Sequence, residues 1–356
     1  MSGPPVLYVD ESHLGRFVTG LERITLELFS ASALAPLPVV PVRAQGVRGM
    51  IVAQTMRLPR RLATNRRSLA LCPGFPPSIP MTLLGDRVIP YIHDTFLLTR
   101  PQDLNWRART YMVPAFAFAL KRLRWLLVNS ETTRSELSAF ARPDAEISLY
   151  RPRVRDVFGI ADQAARPRAW MPGETFRLIA IGTVEPRKNL RAAARIVAAL
   201  REQGIPAQLD IVGRLGWGNE VDALRQMPGV TLHGYQPPEH VRALIGEAHM
   251  LITTSHDEGL GLTPLEAQHG GLGVIAADIK VFREALGESG WMVDTADPAA
   301  GAALIAARLT GPDGLAAASA RARANLDRWN GAAERDHATL IERLSARLSA
   351  LNSGSS

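Results

Sequence analysis

Two hydrophobic rhythms alternate along the chain. Short apolar runs recur, and each gives way to a stretch whose apolar residues fall three or four positions apart. The run VLYVD (6–10) predicts a buried strand, and TGLERITLELFSAS then places Leu21, Ile24, Leu28 and Phe29 at helical spacing. VVPV, RVIPYIHD, RWLLVNS and EISLYRP predict further strands, with NWRARTYMVPAFAFAL as a helix among them. In SETTRSELSAF, Ser130 is placed to cap a helix, with Thr133 and Glu136 close behind.

Between about 157 and 174 the rhythm fails. FGIADQAARPRAWMPGE carries two prolines and mixed polarity, which predicts an interdomain linker. Alternation then resumes: FRLIAIG, the helix NLRAAARIVAALREQG ending at Gly204, and the strand candidates AQLDIVG, VTLHG, MLITTS and LGVIAAD. The last fifty or so residues are helical throughout. Strands alternating with helices predict parallel sheets covered on both faces, hence an α/β fold of two doubly wound, Rossmann-like domains facing each other. The expected boundaries are 1–160, 161–328, and a terminal helix over 329–351 crossing back to the first domain. Ligands of such sheets sit beyond the carboxyl ends of the strands.

Composition narrows the class. The chain has 356 residues, 46% hydrophobic and 21% charged, an ordinary globular mixture. A single cysteine, Cys72, excludes an internal disulfide framework and a cysteine-built zinc site. No leader pattern opens the chain and no apolar run is long enough to span a membrane, so the expectation is cytoplasmic. Charge is uneven: 23 basic against 13 acidic residues through position 170, then 18 against 21. A basic first half points to an anionic partner. The arginines of RLPRRLATNRRSL (57–69) and KRLR (121–124) could dock on anionic lipid at the inner face of the plasma membrane. Nucleic acid is not expected, because no basic–aromatic interleaving or reader motif accompanies the charge. Lysine is rare: Lys121, Lys188 and Lys280 are the only three.

The chemistry concentrates in SHDEGLGLTPLEAQHGG, where Glu258 and Glu266 stand eight positions apart around Gly259 and Gly261. MLITTS ends a strand, HDEGLGL turns, and TPLEAQHGG begins a helix with Thr263 as expected N-cap, Pro264 at N1 and Glu266 at N3. A capping box would account for Glu266 alone. Glu258, in the turn at the strand end, has no such explanation. Amides near Leu262 and Thr263 form a positive helix start suited to phosphate, and an acid within it can hold ribose hydroxyls. Together they read as a clamp for a nucleotide sugar.

The segment EGLGLTPLEA resembles the signature of retaining GT-B glycosyltransferases, the group sometimes called family 4. AIGTVEPRKNL is similar to that family's phosphate loop, and GGLGVIAADIKVFREALGESGWMVD to its following strand–loop–helix–strand. The resemblance is dense over 176–295 and looser before. It implies that Glu266 binds ribose, that Glu258 contacts the donor sugar, and that amides at Gly261 and Leu262, beside Thr263, hold the phosphates. Lys188 corresponds to the family lysine that neutralises the leaving diphosphate. Many members place an arginine directly after Gly182; here Thr183 stands there, which leaves open whether Arg187 supplies the second cation. In the first half, TGLERI resembles the first glycine-containing loop, making Gly20 a donor-binding candidate and Arg23 a weaker one. YIHDT places His93, with Asp94 beside it, where the family histidine contacts the donor sugar.

The implied activity is retaining, metal-independent transfer of a hexose from a nucleotide diphosphate sugar to a hydroxyl of a saccharide or lipid-linked acceptor. The first domain would hold the acceptor and the second the nucleotide. Front-face attack is expected, with a donor phosphate oxygen helping to take the acceptor proton. TGLERI and GTVEPRKN look most like bacterial mannosyl- and rhamnosyltransferases of polysaccharide assembly, which favours GDP-mannose. No resident cofactor is implied. Two alternatives keep the architecture: a sugar-nucleotide epimerase, and a non-catalytic sugar-nucleotide-binding scaffold.

Overall fold

The computed structural model describes residues 3–15, 20–100, 106, 108–165, 168–216 and 219–353. The chain forms two compact units, one running to Pro152 and resuming at Ala332, the other spanning Arg153–Gly331.

The first unit holds six strands, β1 (Val6–Asp10), β2 (Val39–Val42), β3 (Ser68–Cys72), β4 (Val88–Ile92), β5 (Trp125–Val128) and β6 (Glu146–Leu149). They pair in parallel in the order β2-β1-β3-β4-β5-β6. Five coincide with apolar runs picked out above. β3 does not: SLALC follows an arginine-rich helix, Leu58–Thr64, and its short run carries no alternation because both faces are covered. The Ser130 cap forms as expected, its Oγ accepting from Thr133 N at 3.0 Å at the start of the helix Glu131–Ser138. Of NWRARTYMVPAFAFAL, the α-helix is Val113–Arg122, preceded by a π turn over Ala108–Met112; Asn105 and Arg107 lie outside the described residues. The helix Gly20–Phe29 buries Ile24, Leu28 and Phe29 as its spacing requires.

The second unit holds β7 (Phe176–Ile181), β8 (Ala207–Val212), β9 (Val230–Gly234), β10 (Met250–Thr253), β11 (Gly273–Ala277) and β12 (Gly290–Val293). Their order, β12-β11-β10-β7-β8-β9, is parallel throughout. From β7 the chain first builds outward through β8 and β9, then returns to lay β10, β11 and β12 on the other side. The reversal leaves a crevice between β7 and β10, the switch point of a doubly wound sheet. The helix Leu190–Glu202 turns Leu190, Ala193, Ala194, Ile196, Val197 and Leu200 inward, and the helix Pro298–Thr310, capped by Asp297, packs beside it.

The stretch 157–174 is not a bare linker. Ile160 is fully buried in the second unit's core with Phe158 beside it, and the Asp156 carboxylate accepts from Ile160 N and Ala161 N at 2.9 and 2.8 Å. Prolines break the periodicity there, but losing a regular element does not mean losing packing. The terminal helix likewise begins before 329. It runs as one element, Leu315–Ser353, burying Ala318, Ala322 and Trp329 in the second unit and Leu340, Leu344 and Leu348 in the first. Trp329 is 1% exposed and packs with Leu260 and Leu265, under the turn that carries Glu258. Among the described residues, no helix is long and apolar enough to cross a membrane.

Candidate functional site

Two loops leave the carboxyl ends of adjacent strands at the second unit's switch point. After β7, the chain passes Gly182 and Thr183 into a single 3-10 turn, Pro186–Lys188, and enters the helix Leu190–Glu202 through Asn189 at φ +48°. After β10, it turns through Thr254–Gly261 into a short helix, Leu262–Ala267. Parallel pairing of β7 with β10 sets these loops side by side, so residues some seventy positions apart meet. Thr254 Oγ1 donates to Asn189 O at 2.8 Å and His256 N to Arg187 O at 2.9 Å, stitching the loops together.

Glu258 is the hub. Lys188 Nζ donates to its Oε1 at 2.6 Å, Arg187 Nη1 to its Oε2 at 2.8 Å, and Ser255 Oγ to Oε1 at 2.7 Å. Arg187 also donates to Asp257 O at 3.0 Å and, through Nη2, to Glu185 Oε1 at 2.8 Å. The Glu258 side chain is only 12% exposed. Burial alone would raise its pKa, but the charges of Lys188 and Arg187 and the hydrogen bonds from Lys188 and Ser255 outweigh it and hold the carboxyl below its ordinary value. Burial would likewise lower the Arg187 pKa, and Glu258 and Glu185 reverse it. The carboxylate is therefore ionised at neutral pH and paired with two cations.

Beside this hub lies a cavity of about 40 Å³ walled by Lys188, Glu258, Gly261, Leu262, Thr263 and Phe282, among others. A smaller hollow adjoins it, lined by Gly182, Thr183, Lys188, Thr254 and Ser255. The helix starts two residues earlier than Thr263 as N-cap implies. Leu262 is its first residue, Gly261 stands before it at φ +76°, and no side chain caps it. Only glycine adopts that left-handed turn without strain, and a Cβ there would lie 2.8 Å from Phe282 Cε1. Glu266 is consequently the fifth helical residue, and no capping box forms. It is 4% exposed and is not a wall of either cavity.

The first unit carries His93 and Asp94 at the carboxyl end of β4, and Gly20 opens the helix Gly20–Phe29, which contains Arg23. His93 Nε2 lies 2.7 Å from Pro73 O, and Asn129 Nδ2 donates to His93 O at 2.7 Å. Burial of the ring lowers the His93 pKa to about 4; the bond to Pro73 opposes this and His13 adds to it. The imidazole is neutral at pH 7. Asp94 Oδ1 accepts from Phe96 N at 3.0 Å, a local turn bond. His93 and Asp94 line a pocket of about 180 Å³ with Gly74, Phe75, Leu97 and Phe116.

Sequence reasoning missed Ser255, Glu185 and Phe282 in the second unit, and His13 and Asn129 in the first. Ser255 and Glu185 lie within three residues of residues already singled out, which was the available signal. The other three are brought in by the fold alone. Among the described residues, no three His, Cys, Asp or Glu side chains gather as a metal site requires.

Residues 175–310 match the model of the family Glycosyl transferases group 1. Residues 175–310 thus resemble a group 1 glycosyl transferase domain. The matched residues include Gly182, Thr183, Arg187, Lys188, Glu258, Gly261, Leu262, Thr263 and Glu266; Gly20 and His93 lie outside them. The chain is similar to a D-inositol 3-phosphate glycosyltransferase of Thermomonospora curvata, 35% identical over 181 residues, 46% of this chain and 41% of the relative. It is also similar to O-antigen chain mannosyltransferase B of Escherichia coli, 27% identical over 230 residues, 60% and 58% of the two chains. The chain thus spans roughly half the length of these curated relatives. Among solved structures, Anabaena HepE in complex with UDP and glucose matches with a TM-score of 0.63 at 15% identity, over 98% of this chain and all of that one. The architecture around the matched residues is GT-B: two parallel α/β units and a C-terminal helix.

Proposed function

We propose that the protein is a retaining glycosyltransferase that moves a sugar from a nucleotide diphosphate sugar to an acceptor hydroxyl. The observation that carries this reading is the Lys188–Glu258–Arg187 cluster at the switch point between β7 and β10, where a doubly wound sheet takes its ligand. The donor diphosphate lies against Lys188 and Arg187, which exchange part of their hold on Glu258 for phosphate oxygens. They then stabilise the charge that develops as the diphosphate leaves. Thr183 cannot supply charge, so Arg187 serves as the second cation, and the Gly261 and Leu262 amides complete the phosphate contacts. Glu258, released on one side, faces the sugar, and Glu266 holds the ribose. His93, neutral, hydrogen-bonds the donor sugar and orients it for front-face attack. The acceptor proton passes to a phosphate oxygen of the donor.

Mannose from GDP-mannose is the favoured donor, supported by the likeness to the E. coli mannosyltransferase; the HepE likeness makes a uridine nucleotide the main competitor. The acceptor is a saccharide or lipid-linked saccharide of a cell-surface glycan. Peripheral contact with anionic lipid suits the first unit, where Val47, Ile51 and Met56 are 55, 50 and 67% exposed next to Arg57, Arg60 and Arg61.

A thermal-shift panel of GDP, UDP, dTDP and ADP sugars tests the reading. One nucleotide should raise Tm by several degrees, and Lys188→Ala should abolish that rise. No shift with any of them would overturn nucleotide-sugar binding and the proposed transfer with it.

A further inference from the structure

His13 lies just past the end of β1, 2% exposed, and none of the roles above uses it. Its Nε2 is 3.0 Å from Thr25 Oγ1, and that hydroxyl donates to Leu21 O at 3.0 Å. Thr25 has one proton, and it is committed to the Leu21 carbonyl, so the His13 bond must run from Nε2–H to Thr25. The ring is thereby fixed from below by the helix Gly20–Phe29.

Above it passes the turn that follows β3. A Cβ on Gly74 would fall 2.4 Å from His13 Cε1 and Nδ1, so the backbone of Gly74 rests directly on the imidazole. Phe75 meets the same ring edge-on, with centroids 5.9 Å apart. One residue before Gly74, the Pro73 carbonyl lies 2.7 Å from His93 Nε2. A carbonyl only accepts, so it fixes the proton of His93 on Nε2 and leaves Nδ1 as the acceptor. Tyr91 packs edge-on against the His93 ring at 4.8 Å, and Asn129, itself held by Thr133, fixes the His93 carbonyl.

We propose that His13 is a positioning residue: its buried ring is the shelf that holds Pro73–Phe75 in place, and through the Pro73 carbonyl it sets the tautomer and orientation of His93. The catalytic consequence rests on the reading that His93 meets the donor sugar; the structural link does not. His93 presents a hydrogen-bond acceptor to its ligand, the form needed to receive a proton from a sugar hydroxyl. A flat, buried ring is required because the Gly74 backbone leaves no room for a branched or tetrahedral group.

The test is a two-bond proton–nitrogen correlation on the full-length protein with 15N-labelled histidine, recorded with kinetics of sugar transfer. Wild-type His93 should show the Nε2–H pattern. In His13→Ala that pattern should collapse to a tautomer mixture, and kcat should fall roughly 10- to 100-fold with donor KM little changed. His13→Gln, whose planar amide can still donate to Thr25, should recover part of both. A wild-type His93 that is Nδ1–H or tautomerically mixed overturns the proposal, even if His13→Ala does not fold. So does a folded His13→Ala with the wild-type His93 pattern, whatever its rate. A changed pattern with unchanged kcat supports the positioning link and removes His93 from the reaction. A chain with no transfer activity still reports the tautomer, so the two readings fail separately.

Discussion

Lys188 and Glu258 form a 2.6 Å ion pair that ties the loop after β7 to the loop after β10. The pair is mostly buried, and Arg187 and Ser255 saturate the same carboxylate. Its members face opposite demands. Stability favours the cations on Glu258; on the proposed reading, donor binding draws them toward phosphate.

Removing the lysine should damage both. Lys188→Ala leaves a buried carboxylate with one cation fewer, costing about 1–3 kcal/mol of unfolding free energy, and it should abolish the thermal shift given by the donor nucleotide. The double variant Lys188→Ala/Glu258→Gln should recover most of the stability and none of the binding. Urea titration of the three proteins measures this. A double variant no more stable than the single would show that the pair is not the source of the loss.

Glu258→Gln should separate binding from transfer. With the competing charge gone, Lys188 and Arg187 are free to grip a nucleoside diphosphate, so calorimetry should give equal or up to about tenfold tighter binding, a gain of about 1.4 kcal/mol. Sugar transfer should fall by at least about tenfold. Weaker diphosphate binding would contradict the competition between carboxylate and phosphate.

Gly261→Ala should destabilise the fold by about 1–3 kcal/mol. The position requires φ +76°, and the added methyl meets Phe282 at 2.8 Å. Gly261→Ala/Phe282→Leu relieves the clash but not the backbone strain, so only part of the lost denaturation midpoint should return.

His93 makes stability depend on pH. In the folded protein its pKa lies at about 4, below the ordinary value of 6.5, so the unfolded chain binds the proton first. Stability is full above about 6.5 and declines as pH falls toward 4, by up to about 3 kcal/mol. Glu258, whose pKa is also depressed, adds its loss at still lower pH, as the carboxylate takes up a proton. Part of His93 stays accessible at its pocket, so the decline is expected at or below that bound. Chemical denaturation between pH 7 and 4.5 should give a shallower slope for His93→Gln than for wild type.

Much of the second unit is legible in the sequence because each element carries its own signal. The helix Leu190–Glu202 has an unbroken apolar stripe, and β7, β8 and β10 are short apolar runs bounded by glycine or polar residues. The first unit is harder. β3 is central and buried on both faces, which removes the alternation that marks a strand, and it sits between an arginine-rich helix and a proline-rich turn. Thr263-Pro264 looks like a cap and first turn, but Gly261, in a left-handed conformation, leads directly into the helix at Leu262.

The sequence by itself determined most of the elements, their α/β alternation, the Ser130 cap, the acid-bearing turn and the scarcity of lysine that singles out Lys188. These follow from periodicity and from contacts within a few residues. Tertiary structure alone decided the strand order, and with it the switch point between β7 and β10. It also joined Lys188 to Glu258 and set His13 beneath Gly74. Such contacts link residues tens of positions apart, and parallel pairing through helical crossovers brings them together; no local pattern encodes which strand ends become neighbours.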